Sequence, residues 1–269
     1  MFSVKYIPSL IVGMAAGFSL SLTPYAKTIL MQGEKAKKAT FSEIKKQLLK
    51  VGVPQFLIPL EREGYICNYN PNTRNPLWTY EHLTAKGLQP NTTKALFKFT
   101  EDLMIPEIFR VKLDDFHGSI YERAHLCPPA DQRFDHKTLG ETFLLSNISP
   151  QIPELKQGVW KNLEKQIREW TSSYQSLDVF TGPLFLPNFQ SREGPFVQYP
   201  VIGDSQVAVP THFFKVVRAV KGRKEFDLKC YLVPNEPIEE DIPLEEFEVA
   251  LEEIERASGL KFFTSGTFD

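Results

Sequence analysis

The strongest constraint on the fold is a series of short apolar runs, rich in β-branched and aromatic residues, that outnumber the helical patterns in this 269-residue chain. Segments 63–70 and 77–83 flank a stretch dense in turn-forming residues, and together they predict a β-hairpin. Further runs predict strands at Thr142–Leu145, Leu177–Phe180, Val207–Val217 and Phe226–Val233. Because the strands outnumber the helices and do not alternate regularly with them, the sequence indicates an α+β fold.

Two helices are predicted in the second half of the chain. Gly158–Ser172 has apolar residues at helical spacing, and so does Leu244–Ser258, where Gly259 follows as a C-terminal stop. Glycine is the residue that most readily adopts the left-handed conformation that ends a helix.

The first 39 residues differ in character from the rest. Residues 6–22 form a mostly apolar run, shorter than the roughly 20 residues of a comfortable bilayer span. We interpret 1–39 as a targeting or membrane-anchoring segment with a basic linker; a cleaved secretory signal and a folded core element are the alternatives. Thr40 and Glu43 form a capping box that predicts a helix, so the folded domain is expected to occupy 40–269.

Charge is strongly segregated behind a net value of −2. Residues 236–256 carry ten acids and one arginine, a net −9, so the other residues sum to +7. Because the chain outside 236–256 is basic, the sequence is compatible with a polyanionic partner. One basic stretch suits phosphate binding, although a solvated hairpin turn explains it equally well. Its cations are Lys215, Arg218, Lys221, Arg223, Lys224 and Lys229.

Cysteines and glycosylation motifs bear on the compartment. The three cysteines are widely spaced and form no CxxC pair, so we expect free thiols. Asn91 and Asn147 both begin glycosylation sequons, of which we treat the second as a chance match.

A histidine in the segment Asp115–Asp131 is the candidate for chemistry. A lone histidine in a polar loop is more often a surface residue than a catalyst. Here, however, His125 is followed by a predicted strand and then by a helix that carries polar residues. That order is typical of ββα-metal nucleases.

On these residues the sequence resembles the DNA/RNA non-specific endonucleases, and within them the endonuclease G branch. The family motif Asp-Arg-Gly-His aligns with Glu122–His125. The likeness continues over most of the chain from about Gly64. Its most similar segments are Asn72–Leu83, Phe143–Asn147, Val179–Leu184, Val209–Val216 and Ile254–Leu260.

The resemblance implies a fold, a chemistry and a setting. The fold would be the ββα-metal (His-Me finger) fold, with a mixed, mainly antiparallel sheet. The chemistry would be Mg²⁺-dependent hydrolysis of phosphodiesters in DNA and RNA. A homodimer is implied, and so is a mitochondrial location in the intermembrane space or on the inner membrane facing it. Membrane attachment would use residues 6–22, and a secreted nuclease is the competing interpretation.

The resemblance also implies a role for each matched residue. His125 corresponds to the general base that activates water. Arg123 is the motif arginine, and Asn147 matches a supporting polar position. Glu164 matches the carboxylate that orients the waters of the metal ion.

One departure opposes metal binding directly. The asparagine that ligates the metal should lie nine residues after Asn147, where this sequence has Lys156. An ammonium group has three donors and no acceptor. A +1 charge about 4 Å from a +2 ion costs roughly 8 kcal/mol at an effective dielectric of about 20, and about 2 kcal/mol in water. Two alternatives remain: Gln157 ligates the metal after a one-residue shift, or Lys156 replaces the metal in weak metal-independent cleavage.

Four further positions depart from the family pattern. Glu122 replaces aspartate and Ala124 replaces glycine in the motif, while His117 stands for arginine and Ile120 for glycine. We therefore expect an endonuclease G-like, nucleic-acid-binding protein whose nuclease activity is weak or lost. The alternative is an active Mg²⁺-dependent endonuclease that cleaves DNA and RNA.

Overall fold

The computed structural model describes Lys46 and residues 57–92, 97–189, 194–223, 225–239 and 241–264. The described residues from 57 onward belong to one compact unit that spans residues 55–269. The predicted targeting segment, its apolar run and the predicted helix at Thr40 lie outside the described residues. Within the part that is described, no helix is both long and apolar enough to cross a membrane.

Antiparallel pairing dominates the fold. The strands are β1 (Ile58–Glu61), β2 (Ile66–Asn70), β3 (Asn75–Leu83), β4 (Glu122–His125), β5 (Ile148–Gln151), β6 (Ser176–Leu184), β7 (Val201–Ile202), β8 (Val207–Ala208), β9 (His212–Val220) and β10 (Phe226–Pro234). A six-stranded sheet has the order β1-β2-β3-β6-β9-β10 with every neighbouring pair antiparallel. Two separate ribbons pair β4 with β5 and β7 with β8, also antiparallel.

Among the described residues from 57 onward, four α-helices and several 3₁₀ turns accompany the strands. The helices are α1 (His136–Glu141), α2 (Pro153–Gln157), α3 (Val159–Trp170) and α4 (Leu251–Ser258). Gly158 separates α2 from α3, because its ψ of −113° interrupts the helical backbone. In α3 the buried residues recur at helical spacing, so one stripe faces the core. That stripe consists of Val159, Trp160, Leu163 and Ile167.

The two faces of the large sheet are covered by different helices. Successive residues of a strand point to opposite faces. On one face, Val179 and Phe213 pack with Trp160 and Leu163 of α3. On the other face, Phe214 and Val216 pack with Ile254 of α4 and with Phe262. A third cluster joins β2 to the β4–β5 ribbon and includes Cys67, Tyr69 and Ile148.

Several sequence predictions are confirmed. The hairpin is formed by β2 and β3, and α3 lies inside the predicted helix Gly158–Ser172. The helix predicted over Leu244–Ser258 is instead divided into a 3₁₀ turn at Leu244–Phe247 and α4. The division arises because Glu248 bridges to β10, and the next residue donates its N–H to that strand. Gly259 ends α4 with a φ of 71°, as predicted.

The prediction of a strand at Thr142–Leu145 is wrong. The backbone N–H groups of Thr142, Phe143 and Leu144 donate back to carbonyls of residues 139–141, so the segment continues the end of α1 as a turn. A 3₁₀ turn at Leu145–Asn147 follows, and the strand begins only at Ile148.

The strand predicted over Val207–Val217 is broken. Proline has no backbone N–H to donate to a sheet ladder, and Pro210 lies between β8 and β9. The second part of the prediction survives as β9, which extends to Val220.

Candidate active site

The β4–β5 ribbon and α3 enclose one cleft. Ala124 pairs with Ser149 and His125 with Ile148, and β5 then continues through α2 into α3. The cleft has a volume of about 670 Å³. Its lining residues are Phe99, Glu122, Ala124, His125, Pro128, Pro129, Ala130, Phe143, Gln151, Lys156, Gln157, Trp160, Lys161, Glu164 and Arg168. His125, Lys156, Gln157 and Glu164, which the sequence singled out, therefore meet in one place.

Aromatic rings hold the candidate base. The imidazole of His125 lies between Phe99 and Phe143, with 5.1 Å between its centroid and each of theirs. The guanidinium of Arg123 stacks on Phe99 at 5.2 Å and on Phe116 at 5.4 Å from the ring centroids. Arg123 thus supports the ring against which His125 packs. It is not among the described residues that line the cleft.

Asn147 is buried and has a structural task. Its Oδ1 accepts a hydrogen bond from the backbone N–H of Cys127 at 2.9 Å. Its Nδ2 donates to the carbonyl oxygens of Cys127 and Thr142, also at 2.9 Å. These bonds fix the chain two residues after His125. Asn147 therefore positions the histidine strand from behind, and buried polar groups so paired cannot carry a glycan.

Glu164 faces the cleft from α3 among buried charges. Burial raises the pKa of its carboxyl from 4.5 to about 7, while the ammonium of Lys215 acts in the opposite direction. A carboxyl with this pKa can accept or release a proton in the cleft.

Buried charges continue behind Glu164. Glu81 accepts hydrogen bonds from Cys127 Sγ at 3.2 Å and from Gln132 Nε2 at 3.3 Å. Arg168 Nη1 donates to Asp131 at 3.0 Å. Burial raises the pKa of the Glu81 carboxyl and that of the Asp131 carboxyl. These contacts tie the large sheet to α3 and to the loop that follows β4.

Lys156 is engaged by the first residue of the histidine strand. Its Nζ donates to Oε2 of Glu122 at 2.8 Å. The other carboxylate oxygen, Oε1, accepts a hydrogen bond from Gln157 Nε2 at 3.2 Å. Two departures from the family pattern, Glu122 and Lys156, are therefore partners across the cleft.

At the family ligand position Lys156 does not fit Mg²⁺, which takes oxygen ligands in octahedral geometry. Lys156 offers no lone pair, and the carboxylate of Glu122 is already shared between Lys156 and Gln157. Within the part of the chain that the structure describes, no three His, Cys, Asp or Glu side chains converge on a metal position.

The other motif departures are accommodated without strain. Ala124 is buried in β4 and has no positive φ, so the strand does not require glycine there. His117 and Ile120 are exposed and lie outside the described cleft lining.

The prediction that Lys215 belongs to a basic surface is wrong, because this residue is only 1% exposed. Its Nζ donates to Thr181 Oγ1 at 2.8 Å and lies 5.0 Å from the ring centroid of Trp160. Because side chains alternate along β9, Arg218 points to the opposite face of the sheet. The two residues therefore cannot form one phosphate-binding stripe.

The remaining cations of that stretch lie on or near the β9–β10 turn. Arg218 pairs with Asp178 at 3.3 Å, and Lys221 pairs with Asp227 at 2.9 Å. Lys229 pairs with Glu248, Arg223 is exposed in the turn, and Lys224 lies outside the described residues. The alternative of a solvated hairpin turn describes most of this segment.

Two cations of the cleft were missed from the sequence. Lys161 and Arg168 lie three residues before and four residues after Glu164 on α3, and both line the cleft. Residues at these spacings share one helix face. The sequence shows this spacing, but it does not show which face of the helix lines the cleft.

Comparison with known proteins agrees with this architecture. A family model for the DNA/RNA non-specific endonucleases matches residues 44–267. Endonuclease G, mitochondrial, from Homo sapiens is 43% identical over 216 residues, which covers 80% of this chain and 73% of that protein. The mitochondrial nuclease of Saccharomyces cerevisiae is 37% identical over 249 residues, covering 89% and 75% of the two chains. The crystal structure of the EndoG/EndoGI complex matches with a TM-score of 0.75 and 35% identity, covering 81% of this chain and 90% of that chain.

Fold and site together define an α+β protein of the ββα-metal (His-Me finger) class, with the predicted order of histidine strand, second strand and helix. The chain belongs to the DNA/RNA non-specific endonuclease family, and its similarities support the endonuclease G branch.

Proposed function

We propose that this protein is a nucleic-acid-binding member of the family in which metal-dependent phosphodiester cleavage is weak or lost. The ion pair between Lys156 and Glu122 carries the proposal, because it holds a cation in the cleft at the position where the family pattern has a neutral metal ligand. A magnesium ion at this position would meet an ammonium group, which has no lone pair to offer, instead of a neutral oxygen ligand.

The rest of the cleft supports retention of nucleic-acid contact. His125 is held between two aromatic rings, and Lys161 and Arg168 add positive charge along α3. Closely spaced cations favour a polyanionic backbone irrespective of its base sequence. DNA and RNA are therefore the proposed ligands.

The test compares cleavage by the purified full chain with that of human endonuclease G. Supercoiled plasmid and single-stranded RNA are incubated with Mg²⁺, with Mn²⁺ or with chelator. We expect Mg²⁺-dependent nicking at least about a hundredfold below that of the human relative, since loss of transition-state charge stabilisation typically costs this much. The His125→Ala variant gives the background. Nicking within about threefold of the human enzyme would overturn the proposal.

A second candidate is an active Mg²⁺-dependent endonuclease. The observation that favours it is Gln157, whose side-chain amide lines the cleft beside Lys156 and carries an oxygen that can ligate a metal. In the described structure that amide donates to Glu122. The same assay decides between the two candidates, because this one requires cleavage that the Gln157→Ala change removes.

The proposed setting is mitochondrial, because the similar proteins from Homo sapiens and Saccharomyces cerevisiae are named as mitochondrial. The intermembrane space or inner membrane, attachment through residues 6–22, and a homodimer belong to the same proposal. Sedimentation of the full chain at micromolar concentration is expected to give twice the monomer mass of 30.8 kDa. A monomer at that concentration would count against the dimer.

A further inference from the structure

Among the described residues, three lysine or arginine side chains line the cleft, and they differ in how strongly another residue binds them. Arg168 is bound to the buried Asp131 at 3.0 Å. Lys161 is exposed on α3. Lys156 differs from both because its partner, Glu122, also belongs to the cleft wall.

The Lys156 ion pair joins the two sides of the site. Lys156 lies in the last turn of α2, and Glu122 begins β4 three residues before His125. The ammonium is therefore held on the side of the cleft where the candidate base stands. An anion that contacts Lys156 would also come close to the histidine strand.

The same pair is suited to exchange. The side chains of Lys156 and Glu122 are 30% and 38% exposed, and an ion pair open to water adds little stability. Phosphate oxygens and carboxylate oxygens are equivalent acceptors for an ammonium group. Glu122 would keep its hydrogen bond from Gln157 after losing the lysine. Replacing the carboxylate by a phosphate therefore leaves no buried group unpaired.

We propose that Lys156 binds a backbone phosphate of nucleic acid without a divalent metal, and that Glu122 is the counter-ion that the phosphate displaces. This deepens the proposed function, on which it rests, by naming the group that holds the ligand. The misfit of the site to Mg²⁺ is then a consequence of its specialisation for the phosphate itself.

The test measures binding rather than cleavage. The full chain is titrated in chelator against a short fluorescent single-stranded oligonucleotide at several salt concentrations. We expect Lys156→Met to weaken binding about tenfold and to reduce the salt slope by about one. Glu122→Gln should tighten binding about threefold, because a neutral amide competes less with the phosphate. The double variant should bind as weakly as Lys156→Met.

Two controls separate this role from a structural one. Lys165→Met removes an exposed lysine that also pairs with a glutamate on α3, and it should change binding by less than about twofold. Lys156→Arg keeps the positive charge and should retain binding within about threefold. Circular dichroism and thermal melting verify that each variant is folded.

Specific results would overturn the inference. Wild-type binding that requires Mg²⁺ would do so, and so would a folded Lys156→Met variant that binds as tightly as the wild type. If Lys156→Met fails to fold, Glu122→Gln still decides, because unchanged or weaker binding contradicts a displaceable counter-ion. Failure of the proposed function would look different: strong Mg²⁺-dependent nicking, measured in the separate cleavage assay.

Discussion

Glu122 and Lys156 change the charge of the cleft as a pair. The family pattern at these two positions is aspartate and asparagine, with a summed charge of −1, whereas glutamate and lysine sum to zero. A glutamate also has one more methylene group than an aspartate, and here its two oxygens contact both Lys156 and Gln157. The family pattern therefore attracts a cation to this part of the cleft, whereas the pair in this chain has no net charge and does not repel an anion.

Reversing the pair should restore metal dependence. In the double variant Glu122→Asp with Lys156→Asn, the ammonium is removed and a neutral oxygen ligand is supplied, so Mg²⁺ affinity should rise at least about tenfold. Plasmid nicking should rise with it, measured as a function of Mg²⁺ concentration.

The control adds His125→Ala to that double variant and should leave cleavage at background. The single change Lys156→Asn should gain less, because the longer Glu122 side chain then still stands where the family pattern has aspartate. If the double variant neither binds Mg²⁺ more tightly nor cleaves faster, Lys156 does not occupy the metal position. Cleavage by the wild type in chelator, lost in Lys156→Asn, would instead support lysine replacing the metal.

At the scale of elements, the site depends on how β4 is anchored. Asn147 bonds the backbone of Cys127 on both its N–H and C=O sides, and it also bonds the turn that ends α1. One side chain thus couples the histidine strand to the segment that enters β5.

Removing that anchor should destabilise the protein. Asn147→Ala deletes three hydrogen bonds and leaves buried backbone groups unpaired, so the free energy of unfolding should fall by about 2–4 kcal/mol. Urea unfolding measures the change. Asn162→Ala is the matched control, since Asn162 is exposed on α3 and should cost less than about 0.5 kcal/mol. Equal losses in the two variants would contradict an anchoring role for Asn147.

The sequence predicted elements best where one local pattern dominated. The β2–β3 hairpin has dense turn residues, and α3 has a clear apolar stripe. The strand prediction at Thr142–Leu145 failed because these residues complete the turn after α1. That turn is determined by where the backbone N–H groups donate, which the side-chain types do not reveal.

Site residues followed the same division. The chain order of His125, a strand and a helix with Glu164 correctly brought the two residues into one cleft. The contact of Lys156 with Glu122 could not be foreseen, because it joins positions 34 residues apart. Nor does composition reveal that Lys215 points inward, because strand alternation assigns its face only once the register is known.

At the scale of the whole molecule, compartment is testable through Asn91. This residue is exposed, so a glycan attached to its side chain would lie in solvent. A mitochondrial protein does not meet the glycosylation machinery of the secretory pathway. We therefore expect native protein to show no mass shift on treatment with a glycosidase. A glycan at Asn91 would favour the secreted alternative and contradict the mitochondrial proposal.

The buried charges should make the stability of the whole protein fall as pH rises. Burial raises the pKa of Glu164 to about 7, and raises those of Glu81 and Asp131, above their ordinary values. Between about 4.5 and 7 the folded state keeps a proton on Glu164 that the unfolded chain releases. The stabilisation is thus complete below the unfolded pKa and is lost as pH rises through the folded one.

Glu164→Gln should flatten this dependence, because glutamine mimics the protonated carboxyl at every pH. Urea unfolding from about pH 5 to about pH 8 should show a decline in the wild type that is smaller in the variant. The difference in slope should be at most about 1.4 kcal/mol per pH unit, the value for one proton. Glu169→Gln, an exposed change on the same helix, should leave the slope unaltered. An identical slope in wild type and Glu164→Gln would mean that Glu164 is ionised in the folded protein throughout this range, and that its neighbouring cations outweigh its burial.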